Sequence, residues 1–182
     1  MTHRRAVFLS LLAPVLTSSC VSHPPLEVVE AIDLQRYLGR WYEIASFPAW
    51  FQEGCHCSTA EYSPGTDEPI AVRNSCRLES ADGELDTAEG VARPVDATSN
   101  ARLEVSFARP FWGDYWILEL DEENYAWVVV GTPSREYLWI LSRTPVMDEA
   151  LLQELMARAA AKGFDISRLQ RTDQSCWTGA AT

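Results

Sequence analysis

Between Gly39 and Arg143 the chain alternates apolar and polar residues in short runs, and clusters of turn-forming residues separate the runs. Breakers stand at Ser63-Pro64-Gly65, Ala81-Asp82-Gly83, Ala97-Thr98-Ser99-Asn100, Arg109-Pro110, Asp121-Glu122-Glu123-Asn124 and Thr132-Pro133-Ser134. Runs this short, rich in Val, Ile, Trp and Tyr, read as strands. Eight are predicted: 39–47, 57–62, 70–78, 85–95, 101–107, 114–120, 125–130 and 136–143. Turns of hairpin length join them, so the expected fold class is all-β, an eight-stranded up-and-down antiparallel barrel wide enough for one small ligand. The Ser46 to Gly54 stretch, with Trp50 and Phe51, is too long for a hairpin turn and reads as a lid over the mouth.

Alternation also assigns faces. In the first strand Trp41, Glu43 and Ala45 share one face and Tyr42 and Ile44 the other. In the fifth, Arg102, Glu104 and Ser106 point outward, which turns Leu103, Val105 and Phe107 toward the lumen. In the sixth, Glu119 outside puts Trp116, Leu118 and Leu120 inside, with Tyr115 and Ile117 outside. Ala88, Gly90 and Ala92 on the fourth strand are small and leave a lumen open rather than filled. The last two strands, Trp127 to Val130 and Tyr137 to Leu141, are apolar on both faces and need a cover. One follows: Asp148 and Glu149 open a helical stretch in which Leu151, Leu152, Leu155, Met156 and Ala159 recur at helical spacing, ending at Lys162-Gly163.

The segment before the barrel has a different logic. Arg4 and Arg5, an apolar run from Ala6 to Leu16 and then Thr17-Ser18-Ser19-Cys20 follow the order of a secretory signal, and the run is too short to span a membrane. Cysteine after small residues resembles a bacterial lipobox, although Thr17 stands where that pattern has an aliphatic residue. The expected organisation is a signal peptide over 1–19, a lipidated N-terminus and tether over 20–31 with the acyl group on Cys20, and one domain over 32–182. Plain cleavage and release into the periplasm is the alternative. Cleavage before Cys20 shortens 182 residues to 163, enough for one sizeable core. It also removes two arginines and no acid, taking the formal charge from −11 to −13. That acidity argues against nucleic acid as a partner and against docking on anionic headgroups, so membrane attachment falls to the acyl anchor.

With Cys20 set aside, Cys55, Cys57, Cys76 and Cys176 remain, an even number suited to disulfides in an oxidising compartment. Cys55-His56-Cys57 lacks the usual C-x₂-C spacing of a metal site, so no metal is expected. An enzyme is poorly supplied: of three histidines only His56 lies inside the domain, and no nucleophile–base arrangement or Gly-rich phosphate loop can be assembled. Catalytic residues and cofactors are therefore expected to be none. Glu43, an inward carboxylate, reads as a hydrogen-bonded structural acid near the floor, with Tyr137 as its candidate partner.

Three blocks, Gly39-Arg-Trp-Tyr-Glu-Ile-Ala, Ser106-Phe-Ala-Arg-Pro-Phe-Trp-Gly and Tyr137-Leu-Trp-Ile-Leu-Ser-Arg-Thr-Pro145, resemble the bacterial lipocalin group, relatives of apolipoprotein D and of plant temperature-induced lipocalins. The resemblance runs from about Ile32 to the end and implies a lipocalin β-barrel with one C-terminal α-helix packed outside. It implies that Gly39, Trp41 and Arg143 form the barrel floor, with Arg143 lying across Trp41. It implies that Cys57 joins Cys176, leaving Cys55 for Cys76; hairpin register alone allows Cys55 and Cys57 to exchange. For function it implies binding and storage or transport of a fatty acid or lysophospholipid in the bacterial envelope, at the outer membrane facing the periplasm. The lumen contacts expected are Ala60, Tyr62, Val72, Leu103, Val105, Phe107, Trp116, Leu118 and Trp139, with Trp112 at the mouth. Relatives often carry Tyr at that position, whereas an indole N–H donates one bond and accepts none. A second copy of the chain stays open as a partner. The other readings are an envelope interaction or stress protein that uses its surface with an empty lumen, and a lumen-based isomerase.

Overall fold

The structure, a computed structural model, describes residues 24–96 and 98–178; the expected signal segment and Cys20 lie outside the described residues. Eight antiparallel strands form the wall: β1 (Gly39–Ser46), β2 (Cys55–Pro64), β3 (Ile70–Leu78), β4 (Leu85–Pro94), β5 (Arg102–Ala108), β6 (Phe111–Leu120), β7 (Trp127–Gly131) and β8 (Leu138–Ser142). Each pairs with the next, and β1 pairs with both β8 and β2, which closes the barrel and removes its free edges. A short strand β9 (Gln170–Arg171) adds to β1 at Ala45 and Ser46, beyond the point where β2 leaves it. Short helices α1 (Leu34–Tyr37) and α3 (Ser175–Thr178) and the longer α2 (Glu149–Ala161) complete the chain.

The floor is built from α1 and the start of β1. Asp33 caps α1, its carboxylate accepting from the Gln35 and Arg36 amides at 2.9 and 3.4 Å. Gly39, at φ +95°, then turns the chain into β1, a conformation that L side chains avoid. Trp41 is fully buried and donates its indole N–H to the Tyr37 carbonyl at 2.9 Å. The Arg143 guanidinium lies 3.7 Å from the Trp41 ring and donates to the carbonyls of Arg36, Tyr37, Arg40 and Tyr125 at 2.8 to 3.2 Å. One planar cation thus ties three segments of chain across the barrel's closed end.

On the outside, α2 starts at Asp148, which accepts from the Leu151 amide at 3.0 Å. Its Leu152, Leu155 and Ala159 are buried against Phe47, Leu118, Val129, Leu138 and Ile140. Glu119 locks the edge of this contact with Arg158 and Lys162, both at 3.1 Å. Apolar residues on the outer face of β7 and β8 are covered in this way.

Two bulges change which residues face inward. In β6, Ile117 pairs with Val130 but Glu119 pairs with Val129, so Leu118 is the extra residue. Leu118 and Glu119 therefore both point out, and the parity before them reverses. Tyr115 and Ile117 face the lumen, while Trp116 and Leu118, expected inside, lie on the outer wall; Leu118 packs under α2 and Trp116 lies beneath Arg102 at 4.9 Å. In β1 the register shifts between Glu43 and Ala45. Ala45 then pairs with outward Ile140, and Ser46 replaces it on the inner face opposite Trp139. The observed β2 and β6 are also longer at their mouth ends than the turn signals predict, because backbone pairing continues past the apolar run.

Candidate functional site

The lumen has three levels. At its base the Tyr115 hydroxyl meets those of Tyr37 and Tyr62, each at 2.8 Å, with all three rings buried. Burial pushes all three phenols well above their ordinary range, so they are neutral near pH 7; the neighbouring phenols push Tyr115 further the same way. Val72, Leu103, Ile117, Val128, Val130 and Leu141 surround them as an apolar collar.

Above this base the inward side chains become small. Ala60, Asn74 and Ala88 stand in one register row, and Val72 and Gly90 are paired in the row below it. Asn74, Ala88 and Gly113 are exposed, and Ala60, Gly90, Val105 and Trp139 are half-buried. An inward residue of a closed barrel meets solvent only through the lumen, so this upper level is open. Phe107 lies on the lumen side at the rim, its ring 2.7 Å from where a Cβ on Gly90 would stand, which is why that position takes glycine.

At the mouth, the turn Trp50–Gln52, part of the predicted lid, is held by one side chain. Gln52 donates through Nε2 to Glu43 Oε2 at 2.8 Å and accepts through Oε1 from Trp139 Nε1 at 3.0 Å. Glu43 is buried, and its other oxygen accepts from Ser46 Oγ at 2.9 Å and Thr172 Oγ1 at 2.6 Å. Its partners are therefore these three rather than Tyr137, and it sits toward the mouth rather than the floor. Gln174 secures the same strand from the C-terminal segment, donating to the Glu43 and Ser58 carbonyls at 2.7 and 2.9 Å. A cavity of about 560 Å³ opens between the lid, the start of β2 and residues 170–173, with Glu43, Gln52, His56 and Thr172 in its wall. The C-terminal segment is pinned there by the Cys57–Cys176 disulfide, and Cys55–Cys76 ties β2 to β3.

Of the residues expected to line the lumen, the structure brings Ala60, Tyr62, Val72, Leu103, Val105 and Trp139 together on the inner face, with Phe107 at the rim. Trp112, expected at the mouth, instead lies on the outer wall, its ring 3.8 Å from the Arg93 guanidinium that Glu104 holds at 3.1 Å. Trp112 shares the outward parity of Glu104 and Asp114, which are register partners. Tyr37, Tyr115, Gln52 and Thr172 were not singled out from sequence. Tyr115 was legible only if the Leu118 bulge had been seen, and Gln52 and Thr172 carry no local pattern. Among the described residues no group of three or more His, Cys, Asp or Glu side chains is placed to hold a metal ion.

A closed eight-stranded barrel with a Gly-x-Trp strand over a cation, an open upper lumen and one outer helix defines the lipocalin class. The chain belongs to that family: the model of the lipocalin-like domain matches residues 32–174. It is 40% identical over 166 residues to the outer membrane lipoprotein Blc of Vibrio cholerae, covering 91% of this chain and 96% of that one. It is 42% identical over 159 residues to temperature-induced lipocalin-1 of Arabidopsis thaliana, covering 82% and 83%, and 35% identical to apolipoprotein D of Mus musculus, covering 93% and 94%. Among solved structures it shares its fold with insecticyanin from the tobacco hornworm Manduca sexta, at a TM-score of 0.66 and 20% identity over 84% of this chain and 86% of that one.

Proposed function

We propose that this lipocalin binds a single acyl-chain amphiphile, a fatty acid or lysophospholipid, with the tail in the upper lumen and the head group at the mouth. One observation carries the reading: small inward side chains at Ala60, Ala88, Gly90 and Gly113 stay solvent-accessible inside a closed barrel. Burying an acyl chain in that space removes apolar area from water on both partners. The stop for the tail is the tyrosine layer, Tyr62 and Tyr115, rather than the deeper Trp41. Polar groups able to orient a head group sit at Glu43, Gln52 and His56 in the mouth cavity, in place of Trp112. The similarity to outer membrane lipoproteins supports a setting in the bacterial envelope, with residues 1–19 removed and Cys20 acylated, the domain facing the periplasm, and the role one of storage or transport.

The test is a homologous acyl series titrated into the mature chain carrying Cys20→Ser, followed by tryptophan emission, because Trp139 lies beside the site. Each added methylene should contribute up to about 0.8 kcal/mol until the tail reaches the tyrosine layer, after which the gain stops. Affinity independent of chain length refutes lumen binding and leaves the surface-interaction reading.

A further inference from the structure

The mouth carries apolar side chains that no other described residue covers. Trp50 is 82% exposed and Phe51 50% on the β1–β2 loop, Leu85 is 55% exposed at the β3–β4 hairpin, and Phe111 is 76% exposed at the β5–β6 hairpin. Three separate loops of one barrel end thus present apolar tips, and three points define a plane. The β1–β2 tip continues inward: Trp50 meets Phe51 at 5.6 Å, Phe51 meets Tyr137 at 5.6 Å, and Tyr137 stacks on Trp139 at 5.7 Å. An aromatic path therefore runs from the most exposed tip to the lumen wall.

The N-terminal segment says what this plane faces. Arg135, in the β7–β8 loop at the mouth, donates to the Pro24 carbonyl at 2.8 Å, and the chain then descends the barrel so that the Val29 amide meets Ile117 and the Ile32 amide meets Ser99 near the floor. Only Val21, Ser22 and His23 separate Pro24 from Cys20, a span of at most about 14 Å even when fully extended. An acyl group on Cys20 would hold the membrane surface at the mouth end and not at the floor.

We propose that the mouth rim docks on a zwitterionic lipid bilayer through Trp50, Phe51, Leu85 and Phe111, and that Trp50–Phe51–Tyr137–Trp139 is the route by which an acyl chain leaves the bilayer for the lumen. The entry route rests on the acyl-binding reading above, and the choice of a membrane as occupant rests on acylation of Cys20, whereas the exposed rim itself depends on neither. Trp50 suits the headgroup level of a bilayer, where its apolar body and its indole N–H are both satisfied, and Phe51, Leu85 and Phe111 gain by burying apolar area just below that level. Acidic residues beside the tips, Glu53, Asp82, Glu84 and Asp86, favour a zwitterionic surface over an anionic one.

The experiment uses the mature chain with Cys20→Ser, so that only the rim can hold the membrane, in flotation with phosphatidylcholine vesicles. The wild-type rim should partition onto vesicles, and a Trp50→Ser, Phe51→Ser, Phe111→Ser variant should lose about tenfold or more of that partitioning. Replacing part of the lipid with phosphatidylglycerol should weaken binding. A Leu85→Ser, Phe111→Ser variant, which leaves the entry route intact, should also lose partitioning and should keep acyl binding in vesicle-free solution, which shows that it is folded. Partitioning unchanged by the triple substitution, partitioning seen only with anionic lipid, or a variant that alters self-association alone would overturn the docking surface. If the wild-type acyl titration fails while vesicle partitioning still falls in both variants, docking stands and the entry route falls.

Discussion

Tyr115→Phe tests the lumen base with the least change of shape, since it deletes one oxygen from a hub bonded to two others. Both hydrogen bonds are lost, each worth about 0.5–1.5 kcal/mol net, and the Tyr37 and Tyr62 hydroxyls are left buried without that partner. The expected cost is about 2–4 kcal/mol. Tyr62→Phe breaks only one of the two bonds and leaves Tyr115 joined to Tyr37, so it should cost about 1 kcal/mol. Changing Tyr37, Tyr62 and Tyr115 together to Phe removes every member of the network at nearly constant volume. That triple should cost less than Tyr115→Phe alone, because no orphaned hydroxyl remains. Urea unfolding at pH 7 with the disulfides intact measures all the variants in one double-mutant-cycle scheme. The pH dependence gives a second readout. The phenol pKa values are raised by burial in the folded state, so the stability held by the neutral phenols is full below the unfolded value near 10 and is lost as pH rises beyond it. The wild type should therefore lose stability more steeply above pH 10 than the triple variant. A Tyr115→Phe cost no larger than that of Tyr62→Phe, with strictly additive effects, would refute the hub.

The floor and the lid give two more expectations. Trp41→Ala should cost about 3–5 kcal/mol through loss of a fully buried aromatic, and Arg143→Lys should cost less but measurably, since an ammonium cannot stack flat or reach four carbonyls; thermal melts unaffected in both would contradict the floor. Gln52→Ala should cost about 1–3 kcal/mol by freeing one Glu43 oxygen and the Trp139 N–H together, and it should speed acyl-chain exchange measured by stopped-flow emission, whereas unchanged exchange would show that this lid does not gate the mouth.

Much of the fold was legible in residue order. Short alternating runs between turn clusters gave eight strands, and a stripe of Leu152, Leu155 and Ala159 behind Asp148 gave the outer helix, because burial on one face imposes a period of two or of 3.6 wherever it acts. Trp41 and Arg143 were legible too, from block motifs that keep the floor's bulky ring and planar cation. The face errors at Ala45, Trp116 and Leu118 share one cause. A bulge adds a single residue to one strand without marking its sequence, and from that point the inside–outside parity inverts: Leu118 in β6 sent Trp116 and itself outward and brought Tyr115 into the lumen. Only pairing against β7 decides where the extra residue falls. Sequence distance hid the mouth as well, since Glu43 takes its bonds from Ser46 and Gln52 nearby but from Thr172 a further 129 positions along the chain. Local pattern records which face each residue needs to bury; barrel closure, strand register and the return of the C-terminal segment decide which polar groups meet there.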